Sequence, residues 1–156
     1  MALPEGIFQG FDGERSYVSR RLLALAEAIP AEKFTWRPAP GIRSLSEVYV
    51  HILITNFYLL STVGPAVPAD IPPAPEQTLT AKADVLHWLT RSLDAVNSAH
   101  AAADTAGLQR SIDVFNLRHS TAESVYLRII LHANEHLGHL LGYARMNGIA
   151  PPSLKD

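Results

Sequence analysis

The residues of this chain best suited to chemistry are histidines. His132 and His136 lie four apart in the stretch Leu131-His132-Ala133-Asn134-Glu135-His136-Leu137-Gly138-His139, inside the longest helical pattern of the sequence. Residues four apart on a helix share a face, about 5–6 Å apart at Cβ. Two imidazoles on adjacent turns can therefore close on one metal ion, at about 2.0–2.1 Å per zinc–nitrogen bond. Such a pair also arises by chance in long helices. A third histidine, His51, shifts the balance, because it falls in a separate helix that is apolar nearly all round. Three imidazoles leave one tetrahedral position open, the arrangement of a catalytic rather than a structural zinc.

Two other metal patterns can be tested. His132-Ala133-Asn134-Glu135-His136 fits the inverted zinc-protease pattern H-x-x-E-H, with the glutamate as general base. That chemistry needs a further ligand well downstream, and after His139 the chain has neither His nor Glu. A di-iron carboxylate bundle needs two Glu-x-x-His pairs. Here Glu47, Glu123 and Glu135 are followed at the third place by Val50, Tyr126 and Gly138. A mononuclear site survives, built by His51, His132 and His136.

Other groups have plainer readings. Glu47 and Glu135 neighbour the ligands and are candidate acid–base groups, but a helix cap explains the first and a solvated face the second. Tyr58 and Tyr143, one or two turns from ligands, are candidates to line a pocket, although any buried tyrosine needs a partner. His87 points away from its helix's core face, His100 sits near a helix end where a cation is favoured, and His119 falls just outside a helix start, in solvent.

Four helices must position these groups. The first runs from Leu3 to Ile29, with Phe8, Phe11, Val18, Leu22, Leu25 and Ile29 at helical spacing, Arg15, Arg20, Arg21 and Glu27 facing away, and Pro30 as its stop. A connector follows to Arg43; its Phe34 and Trp36 predict a loop packed down on the bundle. Ser44-Leu45-Ser46-Glu47 matches a capping box and starts the second helix at Leu45, which runs to about Val63. The proline-rich stretch from Gly64 to Pro75 reads as an extended surface loop across one end of the bundle. The third helix spans Thr80 to about Ala103, with Val85, Leu86, Leu89, Leu93 and Val96 inward. Asp104 to His119 is an irregular link with an apolar patch at Val114-Phe115. Ser120-Thr121-Ala122-Glu123 matches a second capping box, and the fourth helix runs from Thr121 to about Met146. No strand-like alternation or repeat competes, so the expected fold is an all-α four-helix bundle with long proline-rich connections. Bundle cores are where ligands from facing helices meet.

Composition narrows the function. At 156 residues, 47% hydrophobic and 18% charged, residues 1–156 read as a single soluble domain. A net charge of −2 offers no footprint for nucleic acid or for a membrane surface. The chain has no cysteine, hence no disulfide and no thiol nucleophile of its own. The N-terminus lacks a basic segment followed by an apolar one, and a cytoplasmic location is expected.

Several motifs together carry a resemblance. Trp36-Arg37-Pro38, Arg43-Ser44-Leu45-Ser46-Glu47 leading to His51, His132-x-x-x-His136-Leu137-Gly138, and Tyr143-Ala144-Arg145-Met146-Asn147-Gly148 with Pro151-Pro152 resemble the DinB-like superfamily over essentially the whole chain. The resemblance implies a four-helix bundle, frequently a homodimer, with a divalent metal on His51, His132 and His136. Position 139 is commonly glutamine in that family and is histidine here, which leaves open two roles for His139, an outer contact to a ligand or a different metal preference. The superfamily includes thiol S-transferases that use low-molecular-weight thiols and a mycothiol-dependent isomerase. The expected cofactor is one divalent ion, zinc or nickel, with a low-molecular-weight thiol as candidate cosubstrate. The expected function is a metal-dependent thiol S-transferase or a hydrolase acting on a small molecule. The alternative is a metal-binding or structural bundle without turnover. The family name refers to DNA damage, which the charge of this chain does not support as DNA binding.

Overall fold

In chain order the elements are α1 (Gly10–Ala28), a 3-10 turn (Ala31–Lys33), α2 (Leu45–Ser61), α3 (Pro75–Thr78), α4 (Lys82–Ala102), α5 (Thr105–Gln109), β1 (Ser111–Val114), β2 (Leu117–Thr121) and α6 (Ala122–Met146). The computed structural model describes residues 5–114 and 117–153, the side chains of residues 117–119 excepted. Four long helices form the bundle. α2 packs against α4 and α6, and α1 packs against the same two. The helices α1 and α2, consecutive in sequence, therefore stand diagonally, and the connector between them passes from one corner to the other. Among the described residues no helix is long and apolar enough to cross a membrane.

α2 is the central element because almost every side of it is apolar. Leu45, Val48, Tyr49, Val50, Ile52, Leu53, Phe57, Leu59 and Leu60 are all buried. At about 1.5–3 kcal/mol for each large apolar side chain removed from water, this one helix anchors the core. Its start is set as its sequence predicts. Ser44 Oγ accepts from the Glu47 amide at 3.3 Å, and Glu47 Oε2 accepts from the Ser44 amide at 2.6 Å. The connector before it is pinned down: Phe34 is fully buried beside Tyr49, and the Leu45 and Ser46 amides donate to the Trp36 and Phe34 carbonyls. Four amides at a helix start lack partners within the helix, and this loop supplies two of the acceptors.

Several local expectations are corrected. α1 begins at Gly10, not Leu3, which itself lies outside the described residues. Gly6, Phe8 and Gly10 all have positive φ, and Phe8 is left 82% exposed instead of on the core stripe. At Gly6 a Cβ would stand 2.5 Å from the Gly13 carbonyl oxygen, so the turn folds back onto the helix where only glycine fits. Arg15 does not face away, since its Nε is buried. The link before α6 contains an antiparallel hairpin, with Ser111 opposite Thr121, Ile112 opposite Ser120 and Val114 opposite Leu117. The alternation that produces it is only four residues long, with Ile112 and Val114 buried between exposed Ser111 and Asp113. Because Ser120 is held in that ladder, the second capping box does not form. Thr121 caps α6 instead, accepting from the Ser124 amide at 3.2 Å, and Glu123 accepts from Gln109 at 2.7 Å.

The proline-rich segment leads into one turn of helix, α3, packed on α2. Arg91 on α4 ties it down through Asp70 at 2.7 and 3.2 Å while stacking over Trp88. This path carries Glu76 to the face of α2 that holds His51.

Candidate metal centre

His51 projects from α2 toward α6, where His132 and His136 sit one turn apart. The ring centroids are 5.0 Å (His51–His132), 4.8 Å (His51–His136) and 4.5 Å (His132–His136) apart. One nitrogen from each ring lies within 4.8 Å of those of the other two. The centre therefore brings together the three histidines expected from the sequence. His132 and His136 are 8% and 9% exposed, while His51 is half-buried.

Outer contacts determine which nitrogens face inward. His51 Nδ1 lies 3.1 Å from Glu76 Oε1. A carboxylate only accepts, so Nδ1 carries the proton and Nε2 offers its lone pair to the centre. His136 Nδ1 lies 3.2 Å from His139 Nδ1, which leaves the His136 Nε2 for the centre. His132 differs: its Nδ1 is buried with no hydrogen-bond partner among the described residues. Its Nε2 faces His51 Nε2 at 3.2 Å.

These residues fit a metal ion. Two nitrogens bound tetrahedrally at about 2.0–2.1 Å stand about 3.3 Å apart, and the His51–His132 separation is 3.2 Å. Protonation state fits as well. Burial, then the neighbouring His136 and His51, pushes His132 down to about 4. Burial, then His51 and His139, pushes His136 down to about 4. Both rings are neutral at pH 7, the form that coordinates metal.

Glu76 was missed in the sequence. It is 25 residues from His51, just past the Gly64–Pro75 stretch read as an extended loop, and no local spacing links the two. The one available signal was its place as the sole acid of that segment's helical turn. Glu76 also accepts from Arg43 Nε at 3.1 Å, so a cation, a carboxylate and a ligand ring stand in series.

The two acid–base candidates and the two pocket-lining candidates fall in different places. Glu47 closes the α2 capping box and accepts from Arg37 at 3.0 Å. Burial opposes its charge, but the Ser44 amide and the Arg37 guanidinium prevail and hold its carboxyl below the usual range. Glu135 is exposed and pairs with Arg128 at 3.7 Å. Tyr58 is 51% exposed. Tyr143 lines an open pocket of about 580 Å³ beside the centre, together with Arg43, Val48, His136 and His139. Its ring packs edge-on against Trp36, with centroids 5.6 Å apart.

His87 and His100 are not part of the centre. His87 is exposed, and His100 stacks on Phe11 with Nδ1 3.2 Å from Asp12. The expectation that the His119 side chain is solvated lies outside the described residues, as does Phe115 of the expected apolar patch.

A family profile described as the DinB superfamily matches residues 16–140. Among solved structures, the chain is similar to a DinB-like protein from Bacillus cereus, at 18% identity over 95% of this chain and 97% of that one, with a TM-score of 0.74. It is also similar to a DinB-like protein from Bacillus subtilis, at 20% identity over 90% and 96%, with a TM-score of 0.66. At these identities the likeness shows the fold. No curated protein matches the chain.

Proposed function

The chain belongs to the DinB superfamily, and we propose that His51, His132 and His136 hold one divalent metal ion, zinc or nickel, for a transferase or hydrolase acting on a small molecule. The observation that carries this reading is the convergence of three ring nitrogens within 4.8 Å, drawn from two packed helices. When bound, such an ion supplies a positive charge that makes water or a thiol acidic near neutral pH.

The rest is done by side chains of the chain. Glu76 keeps the proton of His51 on Nδ1 and its lone pair inward. His139 serves the same purpose for His136. Burial keeps His132 and His136 unprotonated. The chain lacks cysteine, so in the transferase form the sulfur nucleophile is a low-molecular-weight thiol cosubstrate. Of Glu47, Glu135, Tyr58 and Tyr143, Tyr143 is the one on the pocket wall beside His136.

The test uses untagged protein purified without added metal. Elemental analysis should find zinc or nickel in stoichiometric amount, and the same material is then assayed for thiol-dependent transfer and for hydrolysis. Protein that takes up neither ion even when challenged with it overturns the reading. A second reading, a metal-binding bundle without turnover, draws support from the engagement of Glu47 and Glu135 away from the centre. A cobalt-substituted protein whose spectrum does not respond to added thiol favours that second reading.

A further inference from the structure

The pocket beside the centre has an uneven chemistry. Its lining residues include one guanidinium (Arg43), two imidazoles (His136 and His139) and one phenol (Tyr143), and no acid. Ile42, Val48 and the Tyr143 ring supply apolar wall. Arg43 is oriented rather than loose, because its Nε donates to Glu76 at 3.1 Å. Among the described residues its two Nη groups make no hydrogen bond, although a guanidinium carries five N–H donors. Arg43 thus stands at the edge of this pocket with its Nε on Glu76 and its Nη donors available to an oxyanion.

We propose that this pocket binds its small molecule through a carboxylate group held by the Nη groups of Arg43, with the apolar body of the ligand against Val48, Ile42 and Tyr143. A carboxylate suits it better than a phosphate. The planar fork of a guanidinium matches two carboxylate oxygens, and the wall offers one permanent cation, not the several that a dianion would draw. His139 adds a donor. If His136 donates from Nδ1 to His139 Nδ1, the proton of neutral His139 sits on Nε2, on a ring that lines the pocket. The inference rests on the metal reading only in naming the substrate class for the same site, since Arg43 is not a ligand.

The experiment titrates the full chain with benzoate and, separately, with benzamide, which has the same ring but no charge. Binding is followed by calorimetry and amide chemical shifts, first with a chelator present and then after zinc loading. Metal content is measured on every sample. Saturable benzoate binding should appear in metal-free protein, weaken with added salt, and fall about tenfold or more in Arg43→Gln, as loss of a charged hydrogen bond implies. Arg43→Lys, which keeps the charge and loses the fork, should retain part of it. Equal benzoate affinity in Arg43→Gln, no preference over benzamide, or no saturable binding in either metal state overturns the inference. The two readings fail separately: the chelated titration does not depend on metal, and the metal assay does not depend on benzoate.

Discussion

α2 carries two buried polar clusters, and they differ in kind. Asn56, five residues beyond His51, is fully buried; its Nδ2 donates to Ser92 Oγ at 3.2 Å, and Ser92 Oγ donates in turn to the Leu89 carbonyl at 2.8 Å. That chain of donors runs inward and ends on a helix carbonyl. Asn56 Oδ1 and the nearby Arg15 Nε are buried without partners among the described residues, beside a cavity of about 10 Å³, near the threshold for one water molecule. The histidine cluster runs the other way. Two of its three rings are anchored outward, by Glu76 and His139, and ring nitrogens with lone pairs converge inward. One face of it opens on a pocket of about 580 Å³. Burial of polar groups is common to both clusters. Convergence of lone pairs and an opening belong to one alone, and they separate a site from a polar packing contact.

The largest expected effect breaks the histidine cluster outright. His132→Ala or His136→Ala should abolish stoichiometric metal in protein that still folds, while His87→Ala and His100→Ala should leave it unchanged; elemental analysis decides. Next, Glu76→Gln should weaken metal affinity about 10–100-fold without removing a ligand, the usual effect of losing an outer carboxylate partner. Unchanged affinity in a competition titration would mean that Glu76 does not orient His51. On the other side of the comparison, Asn56→Ala should cost about 1–3 kcal/mol in urea unfolding, from a lost buried hydrogen bond, and leave metal content untouched.

A smaller effect separates the clusters by pH. In the folded protein His132 and His136 titrate near 4, below the ordinary 6.5. Between those values the unfolded chain binds more protons, so metal-free protein should lose stability as pH falls from about 6.5 toward 4. Asn56→Ala should keep that slope, and a His132→Ala/His136→Ala double variant should flatten it. The smallest expected effect is His139→Gln, whose amide can still meet the outward nitrogen of His136; metal should stay bound. Loss of metal there would give His139 a ligand's role.

Much of the fold and of the candidate metal centre is legible in the order of the residues. The i, i+4 pair on one helix, the apolar stripe around His51 and the Ser44–Glu47 cap are local patterns, and each depends on residues within about one turn of one another. The failures are also local in form. The four-residue alternation at Ser111–Val114 is too short to outweigh a link, and Ser120 resembles a cap because its role in a ladder depends on Ile112, eight residues away.

The sequence by itself determined the four long helices, where α2 starts, and the shared face of His132 and His136, because helix periodicity and capping act between near neighbours along the chain. Tertiary structure decided the surroundings of those imidazoles. The path of the proline-rich segment, held by Arg91 and Asp70, brings Glu76 across 25 residues to His51. The packing of α6 against α2 sets Arg43 and Val48 across a pocket from Tyr143 and His139. Those pairings depend on closing long loops and on which helix faces pack together, and no spacing along the chain encodes them.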